Sequence, residues 1–284
     1  MTAAETGVLM LTCPLGQMQA PILTAYQFAQ TAKRVRLMRS RARDPIGELT
    51  DAALYTLGFT LEQSARLVKL LSREELCSAY LLEGERQNVT TLTVRSEQYP
   101  AALRRLGAHT PPALFAKGDL SILQLPRIAL VGSRALLPKN RIFAERIGIR
   151  AAERGYALVS GGAAGADRTA QEACLSHGGS VIVCTPEQLS SCPEHTNVLY
   201  LSELGYDLPF SIPRALSRNR VIHALGEKTF VAQCTAGRGG TWQGSTENLR
   251  EGYSPLYVFD DGSDGANALI ARGAEPIRMN KQEV

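Results

Sequence analysis

The second half of the chain alternates short apolar segments with helical ones. Five segments of five or six residues have the composition of buried strands, namely RIALVG (127–132), YALVS (156–160), SVIVC (180–184), KTFVAQ (228–233) and PLYVFD (255–260). Near-continuous apolar strands joined by helical crossovers are typical of a parallel sheet that helices cover on both faces. The alternation therefore predicts an α/β protein with a Rossmann-like, doubly wound, mostly parallel sheet.

The first part of the chain has a different pattern. Residues 21 to about 85 carry apolar side chains at three- and four-residue spacing, which is typical of helices. Thr60 and Gln63 have the spacing of a capping box. We predict an N-terminal helical domain at residues 1–88, a connecting segment packed on the core at 89–126, and the Rossmann-like domain at 127–284.

Composition narrows the class of protein. Hydrophobic residues make up 44% of the chain and charged residues 20%, as in ordinary globular proteins. No apolar run approaches the ~20 residues of a membrane span, and the first residues lack the pattern of a signal peptide. The sequence therefore predicts a cytoplasmic protein with no membrane partner.

The basic residues are unevenly distributed. The net charge is only +4, but the segment 33–43 holds six cations and no acid. Such a run is either a solvated helix face followed by a loop or an electrostatic contact to nucleic acid. Its cations are Lys33, Arg34, Arg36, Arg39, Arg41 and Arg43.

Motifs for common cofactors and metals are missing. There is no GxGxxG, no GxxxxGK[ST] and no HExxH. The six cysteines form no CxxC pair, and we expect buried free thiols. Cys192 and His195 are one Cys/His pair at ligand spacing, and one pair does not make a zinc site. We expect no cofactor, no metal and no catalytic residue.

Three glycine-rich loops follow the first, second and fourth of the five strands. In doubly wound sheets, ligands bind beyond the carboxyl ends of the strands, next to helix N-termini. Glycine N–H groups, hydroxyls and a guanidinium suit a phosphate, although each loop alone also fits a tight turn against a helix. The candidate phosphate-binding residues are Gly132, Ser133 and Arg134 in the first loop, Ser160, Gly161, Gly162 and Gly165 in the second, and Gly239, Gly240 and Thr241 in the third.

A predicted helix adds a second basic element. It contains Arg218, Asn219 and Arg220 in the string SRNRVIHAL. Residues two apart point about 200° from each other around a helix, so one arginine can pair with a carboxylate while the other faces the loops. The alternative is that both arginines make structural salt bridges.

Together these motifs resemble the DprA/Smf family of DNA-processing proteins. The matches are LVGSR, VSGGAAGAD for the family's SGxAxGID, RNRVIHALG for RNRIIAGLS, and the lead-in EQYPAALRRLGAHTPPALFAKGDL, which together extend from about residue 90 to 278. Where common members read SGSxxTA, this chain has GRGGTWQGSTENLREG. The sequence thus resembles a divergent branch without the C-terminal winged helix of many members.

The resemblance implies a function and a set of contacts. It implies single-stranded DNA binding in a basic pocket at the strand ends, homodimerisation through the same domain, and delivery of the strand to RecA recombinase in DNA uptake or recombination. The DNA contacts that the resemblance implies are Ser133, Arg134, Ser160, Gly161, Gly162, Arg218 and Arg220.

Two alternatives use the same loops. GGTWQGSTENL also resembles the PGGxGTxxE loop of nucleoside-monophosphate phosphoribohydrolases, in which Glu247 would be catalytic and Arg134 or Arg220 would hold the phosphate. The spacing between Thr241 and Glu247 departs from that motif, and its proline is missing. A nucleotide-sensing module is the other alternative. Trp242 fits either a base-stacking role at the pocket mouth or a packed anchor.

Overall fold

The computed structural model describes residues 1–17, 19–39 and 50–279. They form two compact units. The first contains Met1–Tyr99, Gly107–Phe115 and Glu203–Leu208, and the second contains Pro100–Leu106, Ala116–Ser202 and the chain from Pro209 onward. The segment predicted to connect two domains is thus divided between both units.

The first unit is mainly helical. Its helices are α1 (Ala3–Thr12), α2 (Ala25–Arg39), α3 (Asp51–Thr56), α4 (Leu61–Leu71) and α5 (Glu74–Arg86), followed by strand β1 (Val89–Thr93) and most of β2 (Ala113–Lys117). The Thr60 capping box forms at the start of α4, where the Gln63 N–H donates to Thr60 Oγ1 at 3.1 Å. Helix α1 lies within the predicted helical domain but precedes residues 21–85, in which the apolar spacing indicated helices. It begins with a capping box of its own, made by Thr2 and Glu5.

The second unit contains a parallel sheet. Its strands are β3 (Arg127–Val131), β4 (Ala157–Ser160), β5 (Ser180–Cys184), β6 (Val198–Glu203), β7 (Lys228–Val231), β8 (Leu256–Phe259) and β9 (Glu275–Ile277). Their order is β6-β5-β4-β3-β7-β8-β9, and every neighbouring pair is parallel. This confirms the doubly wound, mostly parallel fold.

Strands β6 and β9 are additions to the five strands that the pattern predicts. β9 is only three residues long, contains Pro276 and lies at the edge of the sheet, where a missing N–H is tolerated. Such a short segment carries little periodic signal.

Five helices complete the second unit within the part of the chain that the structure describes. They are α6 (Pro138–Glu153), α7 (Ala166–Ser176), α8 (Ile212–Leu225), α9 (Gly240–Glu251) and α10 (Asp264–Ile270). Leu130, Leu158 and Val181 from three strands are fully buried against them, and the rings of Phe143 and Phe259 stack with centroids 4.7 Å apart.

The topology fixes where a ligand site can form. From β3 the chain moves to β4 on one side, and β7 lies on the other side of β3. The loops that leave β3 and β7 therefore diverge from a switch point, which is where doubly wound sheets bind ligands.

All six cysteines are free and buried. Burial raises the pKa of Cys13 to about 12 and the pKa values of Cys174 and Cys234 to about 11. Among the described helices, none is long and apolar enough to cross a membrane.

Candidate functional site

A pocket of about 480 Å³ lies at the switch point, beyond the carboxyl ends of β3 and β7. The loop after β3, the loop after β7 and one face of α8 surround it. Candidate residues from three separate parts of the sequence line this pocket: Gly132, Ser133, Arg134, Arg218, Asn219, Gly239, Gly240 and Thr241.

The second glycine loop reaches the pocket lining only through Ala163, and Asp167 follows in the first turn of α7. Ser160, Gly161, Gly162 and Gly165 are not among its lining residues. Ser160 is fully buried and accepts a hydrogen bond from the Gln171 amide. These four candidates are therefore placed as supports of the pocket wall.

Glycine is required at one position in this loop and allows a close side-chain approach at another. Gly165 has a φ of +82°, and a Cβ there would lie 2.3 Å from the carbonyl oxygen of Arg134 and 2.4 Å from that of Ser133. At Gly161 a Cβ would lie 1.3 Å from Nη1 of Arg218. The absence of side chains lets the second loop pack directly beneath the first loop and beneath a basic side chain.

Three guanidinium groups surround the pocket. Arg134 and Arg238 are exposed, and neither side chain makes a hydrogen bond or ion pair with any residue that the structure describes. Nε of Arg218 is buried and likewise lacks a partner among these residues. The pocket therefore presents positive charge that the described residues leave largely uncompensated.

Arg238 is missing from the residues that sequence reasoning selected. It lies in the third loop between Gly237 and Gly239, which have φ values of +75° and +88°. The sequence signal that could have identified Arg238 is its position between two glycines. Glycine readily adopts positive φ, which lets the loop turn on both sides of the arginine and expose its side chain.

The backbone adds donors to the same pocket. Gly239 is the N-cap of α9, which has no side-chain cap, and Gly239, Gly240 and Thr241 at this helix start line the pocket. The first N–H groups of a helix lack intrahelical partners, and together with the helix dipole they attract anions. Thr241 Oγ1 donates to the Gly132 carbonyl at 3.0 Å and holds the third loop against the first.

A buried carboxylate lies under the arginines. Asp167 accepts hydrogen bonds from the backbone N–H groups of Gly161 at 3.1 Å and Ala163 at 3.3 Å. Burial raises the pKa of Asp167 to about 6, although the charges of Arg218 and Arg134 act in the opposite direction. Asp167 thus orders the second loop and offsets part of the positive charge.

His223 forms part of the pocket floor. It is 1% exposed, and burial lowers its pKa to about 4. Its Nδ1 has no hydrogen-bond partner within the described residues. At neutral pH this imidazole is therefore uncharged.

One wall of the pocket is apolar. Phe210, Ile212 and Leu216 line it, and their side chains are 46%, 68% and 40% exposed. Apolar side chains next to unpaired cations suit a ligand that carries both phosphate and a flat apolar surface.

Arg218 and Arg220 of α8 point in different directions. Arg218 faces the pocket, whereas Arg220 Nε donates to Oε1 of Glu247 at 2.7 Å. The hydroxyl of Tyr253 donates to the same carboxylate oxygen at 3.3 Å. Neither Arg220 nor Glu247 lines the pocket, so the structure places the glutamate of the hydrolase alternative outside it.

The remaining candidates from the sequence, Trp242, Cys192 and His195, lie outside the pocket lining. Trp242 is partly buried, and the Arg272 guanidinium lies 5.0 Å from its ring centroid. Cys192 is buried, with its Sγ 3.7 Å from the Gln188 carbonyl oxygen, and His195 is exposed. The described residues contain no group of three or more side chains suited to a metal.

The basic run is only partly described. Lys33, Arg34 and Arg36 lie on α2, and Arg39 is its last residue. The guanidinium of Arg34 lies 4.7 Å from the ring centroid of Phe59. Arg41 and Arg43 lie outside the described residues.

Comparison with known proteins identifies the family. The model of the family described as DNA recombination-mediator protein A matches residues 90–284. This chain belongs to the DprA/Smf family. DNA processing protein DprA of Streptococcus pneumoniae is 31% identical over an alignment of 212 positions that covers 69% of this chain and 73% of that protein. Bacillus subtilis DprA is 26% identical over an alignment of 293 positions that covers 96% of this chain and 92% of that protein.

Solved DprA structures share the fold. The structure of S. pneumoniae DprA matches with a TM-score of 0.71 and 25% identity, over 92% of this chain and 97% of that one. A structure concerned with the single-stranded DNA binding mode of Helicobacter pylori DprA matches with a TM-score of 0.59 and 28% identity, over 68% of this chain and 92% of that one. The chain is thus a DNA-processing protein of the DprA/Smf type by family.

Proposed function

We propose that this chain binds single-stranded DNA and holds the strand's phosphates in the arginine-lined pocket. The observation that carries the proposal is the set of three guanidinium groups, those of Arg134, Arg218 and Arg238, around the uncapped start of α9. Guanidinium groups and helix N-termini both bind phosphate oxygens. The family's DNA-processing role and the DNA binding of the H. pylori relative support the same ligand.

The apolar wall favours a single strand over a duplex. Bases in a duplex are stacked on each other, whereas those of a single strand are free to stack on protein side chains. Phe210 offers an exposed ring next to the cations. One phosphate and one unstacked base together use both surfaces of the pocket.

We extend the proposal to the strand's later fate. Membership of the DprA/Smf family supports protection of incoming strands and assistance in loading a RecA recombinase, by a homodimer. Light scattering would test for the dimer, and strand-exchange assays with and without RecA would test the loading role.

The direct test is a binding measurement with a matched pair of variants. We expect a fluorescein-labelled oligo-dT strand to bind more tightly than a duplex of equal length, with affinity that falls steeply as salt rises, because phosphate contacts release counterions. Arg218→Ala removes a pocket cation and should weaken binding about tenfold or more. Arg220→Ala removes the same charge from the same helix, but outside the pocket, and should change the affinity by less than about threefold.

Two outcomes would contradict the proposal. One is equal loss of affinity in the two variants, provided that circular dichroism shows both to be folded. The other is binding that prefers duplex or ignores salt. Incubation with AMP tests the hydrolase alternative, for which we expect no released adenine because Glu247 lies outside the pocket and is bonded to Arg220 and Tyr253.

A further inference from the structure

The second unit has another cavity, a groove at the amino ends of the central strands, opposite the pocket. It encloses about 180 Å³ beside α6, near the amino ends of β3 and β7 and the end of β9. Its floor is formed by Ile128, Phe143, Phe230, Ile277 and Met279. All of these except Phe143 are only partly buried. The outer layer of the hydrophobic core is therefore accessible here.

Cations border this apolar floor. Arg146, Arg150 and Arg154 follow one another at four-residue spacing along α6 and past its end, so they lie along one face. Lys228 and Arg278 lie on the rim as well, and Glu227 is the one acid among the described lining residues. The rim thus carries a clear excess of positive charge.

Part of this charge has a structural role. Arg150 lies in the last turn of α6, where a cation offsets the negative end of the helix dipole, and Arg278 Nε donates to Asp260 at 2.8 Å. Arg154 and Lys228 are different, because both are exposed and among the described residues neither forms a hydrogen bond or ion pair through its side chain. The one recorded contact of these two charges is that of Lys228 Nζ, 5.9 Å from the Tyr257 ring centroid. Their charges remain available to a ligand.

We propose that this groove docks an acidic peptide segment of a partner protein that carries one large apolar side chain. The carboxylates would pair with the rim, chiefly with Arg154 and Lys228, and the apolar side chain would cover Phe230 and Ile277. Charge complementarity selects the acidic residues, and the exposed core side chains select the anchor.

The groove is less suited to two other occupants, a nucleic acid and a second copy of this chain. Phe143 is only 2% exposed, and Phe230 already stacks on Tyr257 with ring centroids 5.5 Å apart. A nucleic-acid base would therefore meet mainly aliphatic side chains on this floor and would lose hydration of its polar edge without gaining hydrogen bonds. A second copy docking symmetrically through this face would bring two rims of the same sign together, because a two-fold interface pairs a surface with itself. An acidic, apolar peptide meets neither penalty.

The test uses defined peptides and the full chain. The probe is a fluorescein-labelled peptide of four aspartates followed by Leu and Phe. One control peptide lacks the Leu and Phe, and another has serines in place of the aspartates. The groove variant is Arg154→Glu with Lys228→Glu. The matched control is Arg168→Glu with Arg250→Glu, which changes the net charge equally at exposed positions outside the groove.

We expect the full probe to bind with at least tenfold higher affinity than either control peptide. The groove variant should lose at least tenfold in affinity for the probe, and the control variant less than twofold. A probe with benzoylphenylalanine in place of Phe should cross-link to the groove, at residues such as Met279.

Three results would overturn the proposal. The first is equal binding of all three peptides, and the second is equal loss in both charge-reversed proteins. The third is a groove variant that keeps its affinity for the probe but loses oligo-dT affinity or changes its oligomeric state, which would assign the groove to DNA or to a second copy. Circular dichroism establishes beforehand that both variants are folded.

Discussion

The pocket lies at the carboxyl ends of the strands, here called the carboxyl edge, and the groove lies at their amino ends, the amino edge. Both are cationic, but their positive potential has different sources. At the carboxyl edge, helix α9 begins in the pocket lining, so backbone N–H groups add to the arginines. At the amino edge, helix α6 ends, and its free carbonyl groups attract the cations that form the rim of the groove. The backbone itself favours anions at one edge, whereas side chains alone do so at the other.

The largest expected difference between the two edges concerns the backbone. Gly165, beneath the pocket, and Gly155, beside the groove, both have positive φ, but a Cβ at Gly155 meets nothing within 4 Å. Gly155→Ala should cost about 1–2 kcal/mol of unfolding free energy from its left-handed conformation. Gly165→Ala adds overlap with two carbonyl oxygens and should cost about 3–5 kcal/mol, or prevent folding.

Urea denaturation monitored by circular dichroism measures both losses. A Gly165→Ala protein no less stable than Gly155→Ala would show that the loops of the pocket rearrange freely. The crowding beneath the first loop would then be no constraint on the site.

The next effect is the pH dependence of the unfolding free energy, which we expect to arise from two buried groups at the pocket. The pKa of His223 is lowered from 6.5 to about 4, so the folded protein binds fewer protons between these values, and its stability falls as the pH drops from 6.5 to 4. The pKa of Asp167 is raised from 3.8 to about 6, so its contribution has the opposite sign and is lost as the pH rises from 3.8 to 6. Each change amounts to roughly 3 kcal/mol, at 1.36 kcal/mol per pH unit.

Reciprocal variants separate the two contributions. In His223→Ala the free energy of unfolding should decrease as the pH rises from 4 to 6, and in Asp167→Asn it should decrease as the pH falls through the same range. Urea titrations at several pH values measure both slopes. Arg154→Ala, in the groove, should leave the wild-type profile unchanged, and slopes of the same sign in the two pocket variants would refute the assignment.

A smaller effect compares one arginine from each edge. Arg134→Ala should weaken oligo-dT binding by about 1.5–3 kcal/mol, or ten- to hundredfold, because it removes a charge-assisted phosphate contact. Arg154→Ala should change the affinity less than about twofold, since a distant exposed charge acts only through screened attraction. Fluorescence anisotropy at one fixed salt concentration measures both affinities, and similar losses would mean that the strand also follows the groove edge.

The smallest effect concerns the apolar wall. Phe210→Ala removes a stacking surface and should cost about 1 kcal/mol of strand binding, or roughly fivefold, at the low end for a base on an aromatic ring. Phe210→Tyr should retain the affinity. Leu137→Ala, which removes an exposed apolar side chain outside the pocket, should have no effect. If both alanine variants bind the strand like the wild-type protein, the wall is not a base-binding surface.

The sequence by itself determined the parallel sheet and the position of the glycine-rich loops at the carboxyl ends of its strands. Strand character depends on local runs such as SVIVC, and the loops that follow β3, β4 and β7 must lie at one edge because parallel strands end together. Local pattern also indicated that Arg218 and Arg220 point apart, because helical geometry alone separates residues two apart. Short elements such as β9 were not predicted, because a few residues show no clear hydrophobic periodicity.

Only the tertiary structure decided how the candidate residues divide their roles. Gly161 and Gly165 lie beneath the pocket, Arg238 joins its lining, and Arg220 bonds to Glu247. These outcomes depend on loop dihedral angles and on contacts between residues that are 27 or more positions apart in the chain. The amino-edge groove likewise joins α6 to β9, and no local pattern contains a contact between segments so distant in sequence.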